Sequence, residues 1–358
     1  MAAGKPVRVG IIGQGRSGYR NHALILAAMP GHYEIAAVSD PQETYRERAA
    51  RQFGCDTYFD YRDMLKRDDI DLIVNASPSH LHVPLSLEAL EAGKHVLCEK
   101  PLARTAAEVD QLIAASEKAG KHLATFQQAR LAPAFRKIVN IVQSGVLGRI
   151  VHVRIVYNNF ARRWDWQTLQ ENNGGSLLNT GPHPLDQALR LFGSEEMPDL
   201  YCKLDRVNTF GDADDYVKLL LSKPGHPTID LEISSCDAYP QDTYHIHAEF
   251  GGLRGDYRAL KWRYYDRERA PEQQLIRQPL MDANGEPTHC KETLIWKEES
   301  WSIADEKENP PLQRVYYELL FDTITAGAPL VVTPQQIRQQ IAIMEKCHRQ
   351  NPLPRFES

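Results

Sequence analysis

The sequence predicts a doubly wound α/β domain with a parallel sheet, followed by an α+β domain with a large, mostly antiparallel open sheet. The chain has 358 residues, more than the roughly 250 to 300 at which one hydrophobic core stops growing. Apolar strand-like runs alternate with helix-like segments up to residue 126, whereas strand-like runs dominate between residues 150 and 250. We therefore assign residues 1–126 to the first domain and residues 127–358 to the second.

The first strand, Val7–Ile12, is apolar enough to be buried on both faces. The glycine-rich loop Gly-Gln-Gly-Arg-Ser-Gly follows at 13–18, and a helix-like apolar segment continues the chain. In this context Gly13 permits a tight turn, Gly15 lets backbone N–H groups approach a pyrophosphate, and Gly18 lets helix and strand pack closely. The loop therefore predicts a dinucleotide site.

Asp40 closes the second predicted strand, Ile35–Val38, and follows Gly18 by about the 20 residues expected of the acid that binds a ribose. Its carboxylate favours NAD over NADP, because the 2′-phosphate would meet like-charge repulsion and no arginine directly follows. Alternatively, Asp40 caps a helix that begins at Pro41. The two roles are compatible.

The next strands bring a lysine to the same edge of the sheet. Strand Ile70–Ala76 leads into the loop Ser77–His82, which would flank the nicotinamide ribose, and strand His95–Cys98 ends at Glu99-Lys100-Pro101. A Lys-Pro pair is commonly just a strand exit. Because ligands of open parallel sheets lie beyond the carboxyl ends of the strands, however, the Lys100 amine is expected beside the dinucleotide site.

In the second domain, polar and apolar residues alternate along the strand Thr228–Ser234, which predicts a sheet that is wet on one face. The turn 223–227 would join it to a preceding antiparallel strand. The strand-like runs are Ile150–Phe160, Tyr216–Leu221, Thr228–Ser234 and Tyr244–Phe250. Near the end, a capping box at Thr333–Gln336 starts a helix that runs through about His348.

Composition narrows the function classes. A net charge of -5 gives no broad positive field for nucleic acid or an anionic membrane. Six cysteines without CxxC spacing predict free thiols in a reducing, cytoplasmic compartment. The N-terminal residues Met1–Pro6 are expected to lead straight into a strand without a signal-like apolar segment, and no apolar run reaches membrane-spanning length. We expect a small-molecule partner and assign no metal, including at the alternating His245 and His247.

A second polar constellation lies at 179–186. If this segment is helical, Asn179 and His183 are four residues apart on one face, and Asp186 lies a turn beyond, able to orient the imidazole. A histidine without other catalytic residues near it in the sequence is more often structural than catalytic. The constellation alone leaves both roles open.

Four segments together resemble the Gfo/Idh/MocA oxidoreductases, the glucose-fructose oxidoreductase and inositol dehydrogenase family. They are 13–18, Ser77-Pro78 with His82, Ala92–Leu102 and Gly174–His183. The stretch Ala92–Leu102, with the sequence AGKHVLCEKPL, is the specific part, and the resemblance covers essentially the whole chain. It implies an NAD-dependent dehydrogenase acting on a secondary alcohol of a cyclic polyol, such as a sugar, a sugar derivative or an inositol. It also implies a homodimer or homotetramer that covers the open sheet.

The resemblance assigns catalytic roles to three residues. Lys100 takes the hydroxyl proton, His183 bonds that oxygen or relays the proton, and Asn179 fixes the sugar ring. Relatives usually carry aspartate at position 179, and an amide keeps the positioning role but cannot take a proton. We therefore expect a lower pKa for Lys100 than in aspartate-bearing relatives. Pro101 is expected to follow a cis peptide bond that aims Lys100.

The remaining site residues follow from the same resemblance and from the aromatic loop 161–167, whose tryptophans would cover the C–H face of a sugar or, alternatively, bury in the core. Glu99 would orient the strand exit or the cofactor ribose. The expected cofactor contacts are Gly13, Gln14, Gly15, Arg16, Ser17, Gly18, Asp40, Ser77, Pro78, His82, Glu99, Lys100 and Gln128. The expected substrate contacts are Lys100, Arg130, Arg163, Trp164, Asp165, Trp166, Asn179 and His183.

Two other functions stay open on this sequence. Some relatives oxidise a sugar transiently, cleave a neighbouring bond and reduce the sugar again, so that no net NADH forms. Asn179 makes such a redox-assisted glycosidase or lyase more plausible. The fold also serves as a non-catalytic NAD-dependent regulator, but the intact Lys100 and His183 argue against that role.

Overall fold

The computed structural model describes residues 5–356. Residues 1–4 of the predicted N-terminal segment therefore lie outside the described residues. Two sheets organise the fold. The first part of the chain comprises β1 (Val7–Ile12), α1 (Leu24–Ala27), β2 (Tyr33–Ser39), α2 (Glu43–Phe53), β3 (Asp56–Tyr58), α3 (Tyr61–Leu65), β4 (Leu72–Asn75), α4 (His82–Glu91), β5 (His95–Cys98), α5 (Ala106–Ala119) and β6 (Leu123–Thr125).

These six strands form one parallel sheet in the order β3-β2-β1-β4-β5-β6. The strand order reverses between β1 and β4, the point at which doubly wound sheets bind their ligands. The adjacent residues Ile11 and Ile12 of β1 point to opposite faces and are both buried, as expected of a strand covered on both faces. The predicted doubly wound α/β domain is confirmed.

The second part of the chain adds eight strands and further helices. In chain order it comprises α6 (Pro133–Gln143), β7 (Ile150–Asn158), α7 (Ser176–Asn179), α8 (Pro182–Phe192), β8 (Asp199–Asp205), β9 (Tyr216–Ser222), β10 (Thr228–Ser234), β11 (Tyr244–Ala248), β12 (Gly251–Gly255), β13 (Ala259–Tyr265), β14 (Trp296–Ser302), α9 (Leu312–Ala326) and α10 (Pro334–Gln350). The strands form one sheet in the order β14-β13-β12-β11-β7-β10-β9-β8.

This second sheet is antiparallel except for the pair β7 and β10, which confirms the predicted mostly antiparallel sheet. Ile229 and Leu231 of β10 are fully buried on one face. On the other face, Lys218 Nζ lies 3.1 Å from Glu232 Oε2, in a row of half-buried charged side chains. The alternation along β10 therefore separates a core face from an open face, as predicted.

Strands β8, β12, β13 and β14 are not evident from the sequence. Gly251–Gly255 contains three glycines, and most of Trp296–Ser302 is exposed, so neither has the apolar alternation that marks a strand. The predicted run Tyr244–Phe250 ends instead at Ala248, where the register with β7 shifts. Strands β12 and β14 therefore gain their order from pairing with their neighbours rather than from their own pattern.

The two last helices return to the first domain. Tyr316, Tyr317 and Leu320 of α9 belong to the same hydrophobic cluster as the core of the parallel sheet. Helix α10 begins with the predicted capping box, in which Thr333 accepts a hydrogen bond from Gln336 N. The division at residue 126 stays a prediction, because α9 contributes to the core of the first domain.

All six cysteines are free thiols, at positions 55, 98, 202, 236, 290 and 347. Between residues 5 and 356, none of the helices combines the length and the apolar character needed to cross a membrane.

Candidate active site

The glycine loop leaves open space at its centre. Gly13 has φ +90°, and a Cβ on it would lie 2.6 Å from the carbonyl oxygen of Ala76. A Cβ on Gly18 would collide with the carbonyl of Gly13, so these two glycines are required by the fold. A Cβ on Gly15, by contrast, would meet no atom within 4 Å. This arrangement leaves the backbone at Gly15 accessible to a ligand.

The helix after the loop starts with a π-helical turn at Gly18–Ala23, which the sequence did not predict. The turn includes His22, which is fully buried. His22 Nε2 lies 3.2 Å from Glu99 Oε1, and Nδ1 lies 2.7 Å from the hydroxyl of Tyr317. Burial is the largest single effect and disfavours the Glu99 carboxylate, but the hydrogen bond to His22 and the nearby positive charges together outweigh it and lower the pKa of Glu99 to about 2. Glu99 is therefore an ionised carboxylate beneath the lysine.

Asp40 is built into the glycine loop. Its Oδ2 accepts a hydrogen bond from Gln14 N at 2.7 Å, and its Oδ1 accepts one from Gln42 N at 2.8 Å. The predicted helix start at Pro41 is wrong, because α2 begins at Glu43 with Gln42 as its N-cap. The carboxylate thus fixes the loop that would hold the pyrophosphate, and its contact with a ribose stays a prediction.

The loop after β4 is tied to the loop that carries Lys100. His82 Nδ1 lies 2.7 Å from the carbonyl oxygen of Pro101, and Nε2 lies 3.0 Å from that of Ser77. Ser77 in turn donates to Asn75 Oδ1 at 2.7 Å. Burial lowers the pKa of His82. The structure places this imidazole between two loops, and the expected cofactor contacts of Ser77, Pro78 and His82 stay predictions.

Lys100 points at the second domain. The Lys100–Pro101 peptide bond is cis, as predicted. Lys100 Nζ donates to the backbone carbonyl of Asn179 at 2.6 Å and to Asn179 Oδ1 at 3.1 Å. The amine therefore lies where the carboxyl edge of the parallel sheet meets helix α7.

The surroundings of Lys100 favour its neutral form. Burial lowers the pKa of Lys100 from its ordinary value, and the positive charges of Arg16 and Arg163 act in the same direction. The ionised Glu99 opposes them. A lysine with a depressed pKa is suited to accept a proton near neutral pH.

Asn179 and His183 do not share one helix. Helix α7 ends at Asn179 and α8 begins at Pro182, because a proline cannot donate the backbone hydrogen bond that would continue the first helix. The Nδ1 atom of His183 is buried and has no hydrogen-bond partner between residues 5 and 356. Burial lowers the pKa of His183 to about 4, with a further contribution from the charge of Lys100. His183 is thus a neutral imidazole at physiological pH.

Asp186 does not orient His183, contrary to the prediction. Its carboxylate binds Arg130 through two hydrogen bonds, from Nε at 2.9 Å and from Nη2 at 2.5 Å. Arg130 Nη1 donates to Val331 O and to Gln336 Oε1. A guanidinium with its planar donor pair matches a carboxylate better than one imidazole N–H does. Arg130 therefore joins α8 to the start of α10, and its expected contact with substrate stays a prediction.

The aromatic loop lies at the surface. Trp164 is 77% exposed and Trp166 is 44% exposed, so the alternative that they bury in the core is wrong. Arg163 pairs with Asp165, from Nη2 to Oδ1 at 2.8 Å. Arg163 Nη2 also donates to Gln167 Oε1 at 2.6 Å, and Gln167 Nε2 donates to Asn179 Oδ1 at 3.4 Å. The sequence predicts no role for Gln167. The one signal in the sequence is its position next to Trp166, in the aromatic loop.

The residues present fit a dinucleotide. Gln128 Oε1 is a buried acceptor without a partner in residues 5–356, and Gly15 borders open space. The first turn of a helix also leaves N–H groups free, which suits a pyrophosphate. In the same part of the chain, no group of three or more His, Cys, Asp and Glu side chains is placed to hold a metal ion.

Two family models match the chain. The oxidoreductase family with an NAD-binding Rossmann fold matches residues 7–127, and the GFO/IDH/MocA C-terminal domain matches residues 135–254. The chain is also 31% identical over 255 residues to the uncharacterized oxidoreductase YdgJ of Escherichia coli (strain K12), over 70% of this chain and 70% of that one. It spans about half to 70% of the length of the curated relatives it matches.

Some of the relatives carry functional names. The chain is 32% identical over 205 residues to the levoglucosan dehydrogenase of Pseudarthrobacter phenanthrenivorans, over 52% of this chain and 51% of that protein. It is 30% identical over 180 residues to a glycosyl hydrolase family 109 protein of Shewanella putrefaciens, over 47% of this chain and 38% of that protein.

The fold agrees with these matches. A solved structure of levoglucosan dehydrogenase in complex with NADH and levoglucosan superposes with a TM-score of 0.77 at 21% identity, over 96% of this chain and 97% of that one. The chain binds NAD through its Rossmann domain. It belongs to the Gfo/Idh/MocA family of oxidoreductases.

Proposed function

We propose that this protein is an NAD-dependent dehydrogenase that oxidises a secondary alcohol of a cyclic polyol, a sugar, a sugar derivative or an inositol. The observation that carries the proposal is the contact of Lys100 Nζ with Asn179, which brings a lysine of depressed pKa to the meeting point of the two domains. The levoglucosan dehydrogenase relative supports a sugar as the substrate class. Bound NAD would supply the hydride acceptor.

Residues of the chain itself transfer the proton and position the substrate. Neutral Lys100 accepts the hydroxyl proton of the substrate, and Arg16 and Arg163 help to keep it neutral before the transfer. His183, neutral at physiological pH, donates to or accepts from the same oxygen. Asn179 fixes the ring, and Trp164 and Trp166 offer exposed aromatic faces to its C–H groups.

The test combines turnover with a matched lysine control. The purified protein is incubated with NAD and a panel of inositols, free sugars and glycosides, while absorbance at 340 nm and product mass are followed. We expect steady NADH formation with one class of substrate. Lys100→Ala should abolish it, whereas Lys118→Ala, a change of an exposed lysine on α5, should leave it intact. Failure of every polyol, or full activity of Lys100→Ala, would reject the proposal.

A redox-assisted glycosidase or lyase is the second candidate. Asn179 in place of a carboxylate favours it, as does the relative named as a glycosyl hydrolase family 109 protein. In that case the same incubation releases an aglycone or an eliminated group without net NADH. The product mass distinguishes the two reactions in a single experiment.

We further propose that a second copy of the chain covers the open face of the second sheet, giving a cytoplasmic homodimer or homotetramer. The half-buried charged row that includes Lys218 and Glu232 supports an interface with fixed polar contacts. Light scattering on the purified protein measures the mass, and a monomer at micromolar concentration would reject this proposal.

A further inference from the structure

Gln167 lies in the middle of a row of hydrogen bonds that starts at Asp165 and ends at Lys100. Arg163 donates from Nη2 to Asp165 Oδ1 at 2.8 Å and to Gln167 Oε1 at 2.6 Å. Gln167 Nε2 donates to Asn179 Oδ1 at 3.4 Å, and Lys100 Nζ donates to the same oxygen at 3.1 Å. The aromatic loop is thus connected to the amine of Lys100 by side chains alone.

The chemistry of the row fixes the orientation of both amides. Arginine has only donors, so the atom of Gln167 that faces Arg163 must be its oxygen. The nitrogen of Gln167 therefore faces Asn179, and the atom of Asn179 that accepts from it must be Oδ1. Lys100, whose amine keeps two N–H groups in its neutral form, donates to the same oxygen. Neither amide can rotate by 180° without setting donors against donors.

This orientation leaves one atom of Asn179 free. Its Nδ2 has no hydrogen-bond partner in the part of the chain the structure describes, and this atom is not fully buried. An aspartate in the same place would present an acceptor oxygen at this point, whereas Asn179 presents a donor. Asn179 Nδ2 is consequently available to donate a hydrogen bond to a ligand.

We propose that Gln167, held by Arg163, is a positioning residue that locks the Asn179 amide so that Nδ2 donates to the substrate oxygen beside Lys100. The inference rests on the proposed dehydrogenase function for the identity of that oxygen. A hydroxyl that accepts from Nδ2 keeps its own hydrogen free for the neutral Lys100. A carboxylate at position 179 would compete for that hydrogen. The fixed Asn179 amide therefore directs the hydroxyl proton of the substrate to Lys100. After oxidation, its Nδ2 donates a hydrogen bond to the carbonyl oxygen of the product.

A double-mutant cycle tests whether Gln167 acts through Asn179. We expect Gln167→Leu to lower kcat/KM roughly tenfold, as for the loss of one neutral hydrogen bond, and to leave the dissociation constant of NADH unchanged. In an Asn179→Ala background, Gln167→Leu should have no further effect. Gln170→Leu is the matched control, because Gln170 follows the aromatic loop by three residues and donates to Asp212 O rather than to Asn179. Equal losses from Gln167→Leu in both backgrounds would overturn the proposal.

A second readout needs no turnover. Selective 15N labelling of asparagine side chains gives an NH2 signal for Asn179, identified by its absence in Asn179→Ala. We expect one sharp pair of resonances in the unchanged protein, and shifted or broadened resonances in Gln167→Leu, because the amide can then rotate. An Asn179 signal that is identical in both proteins overturns the lock even if the enzyme is active. Absence of turnover with every polyol rejects only the proposed function.

Discussion

The Nε2 atom of His22 lies 3.2 Å from Oε1 of Glu99, and both side chains are buried directly behind Lys100. The pair joins the helix of the glycine loop to the end of β5, so it connects the cofactor site to the lysine. Glu99 also accepts a hydrogen bond from the backbone N–H of Lys100. A buried carboxylate of this kind is stable only while its partner is in place.

His22→Phe should lower the free energy of unfolding by about 3 kcal/mol, because it leaves the buried Glu99 carboxylate without its partner. His22→Gln keeps a donor and should lose about half as much. Urea unfolding followed by circular dichroism measures both variants.

Tyr317→Phe is the control for packing around His22. It removes only the hydroxyl that bonds His22 Nδ1 and should cost about 1 kcal/mol. If His22→Phe costs no more than Tyr317→Phe, the ionised state of Glu99 does not depend on His22.

Asn179→Asp should move the acidic limb of the pH profile, on which activity rises as Lys100 loses its proton, to higher pH. Lys100 donates to Asn179 Oδ1 at 3.1 Å, so a carboxylate there stabilises the ammonium and raises the pKa of Lys100. Because a neutral amine is needed, kcat/KM at pH 7 falls while activity at high pH is retained. Asn173→Asp, in the turn before α7, is the control, and an unmoved limb in Asn179→Asp would contradict the electrostatic account.

Asp40→Asn should weaken NAD binding and narrow the preference for NAD over NADP. The neutral amide removes the repulsion of a 2′-phosphate, and Arg46, whose Nη1 donates to the carbonyl oxygen of Asp40 at 2.7 Å, supplies a nearby positive charge. We expect the KM of NAD to rise about tenfold, as for the loss of one charge-assisted hydrogen bond. Steady-state kinetics with NAD and with NADP give the ratio of kcat/KM for the two cofactors.

Asp60→Asn is the matched control for Asp40→Asn, since Asp60 caps α3 and should affect only stability. An unchanged ratio of kcat/KM for NADP and NAD in Asp40→Asn would show that the carboxylate does not select the cofactor.

The parts of the site that the sequence predicts are those set by local rules. The position of Gly13 after β1, the strand that ends at Lys100 and the capping box at Thr333 each depend on a few adjacent residues. Backbone sterics and hydrogen bonding decide such features within one or two turns of chain.

The parts that the sequence does not predict depend on partners distant in the chain. Asp186 lies within reach of His183 by helical spacing, but a guanidinium 56 residues away binds it instead. Gln167 reaches Asn179 only because the loop folds back over α7. The π-helical turn that includes His22 likewise leaves no sequence pattern of its own, although π-helical turns are frequent at functional sites.

The neutral His183 should make the protein sensitive to acid in a defined window. Its pKa is about 4 in the folded protein, below the ordinary value of 6.5 expected on unfolding, so the unfolded chain binds more protons between these values. The free energy of unfolding must therefore fall as the pH drops from 6.5 towards 4. Burial also lowers the pKa of His95 to about 4, so His95 contributes in the same window.

Urea unfolding at pH 7, 6 and 5 measures the slope of the free energy of unfolding against pH. His183→Gln and His95→Gln should each make it shallower, and their combination shallower still. A slope in His183→Gln equal to that of the unchanged protein, with a reduced slope in His95→Gln, would show that His183 titrates normally in the folded state.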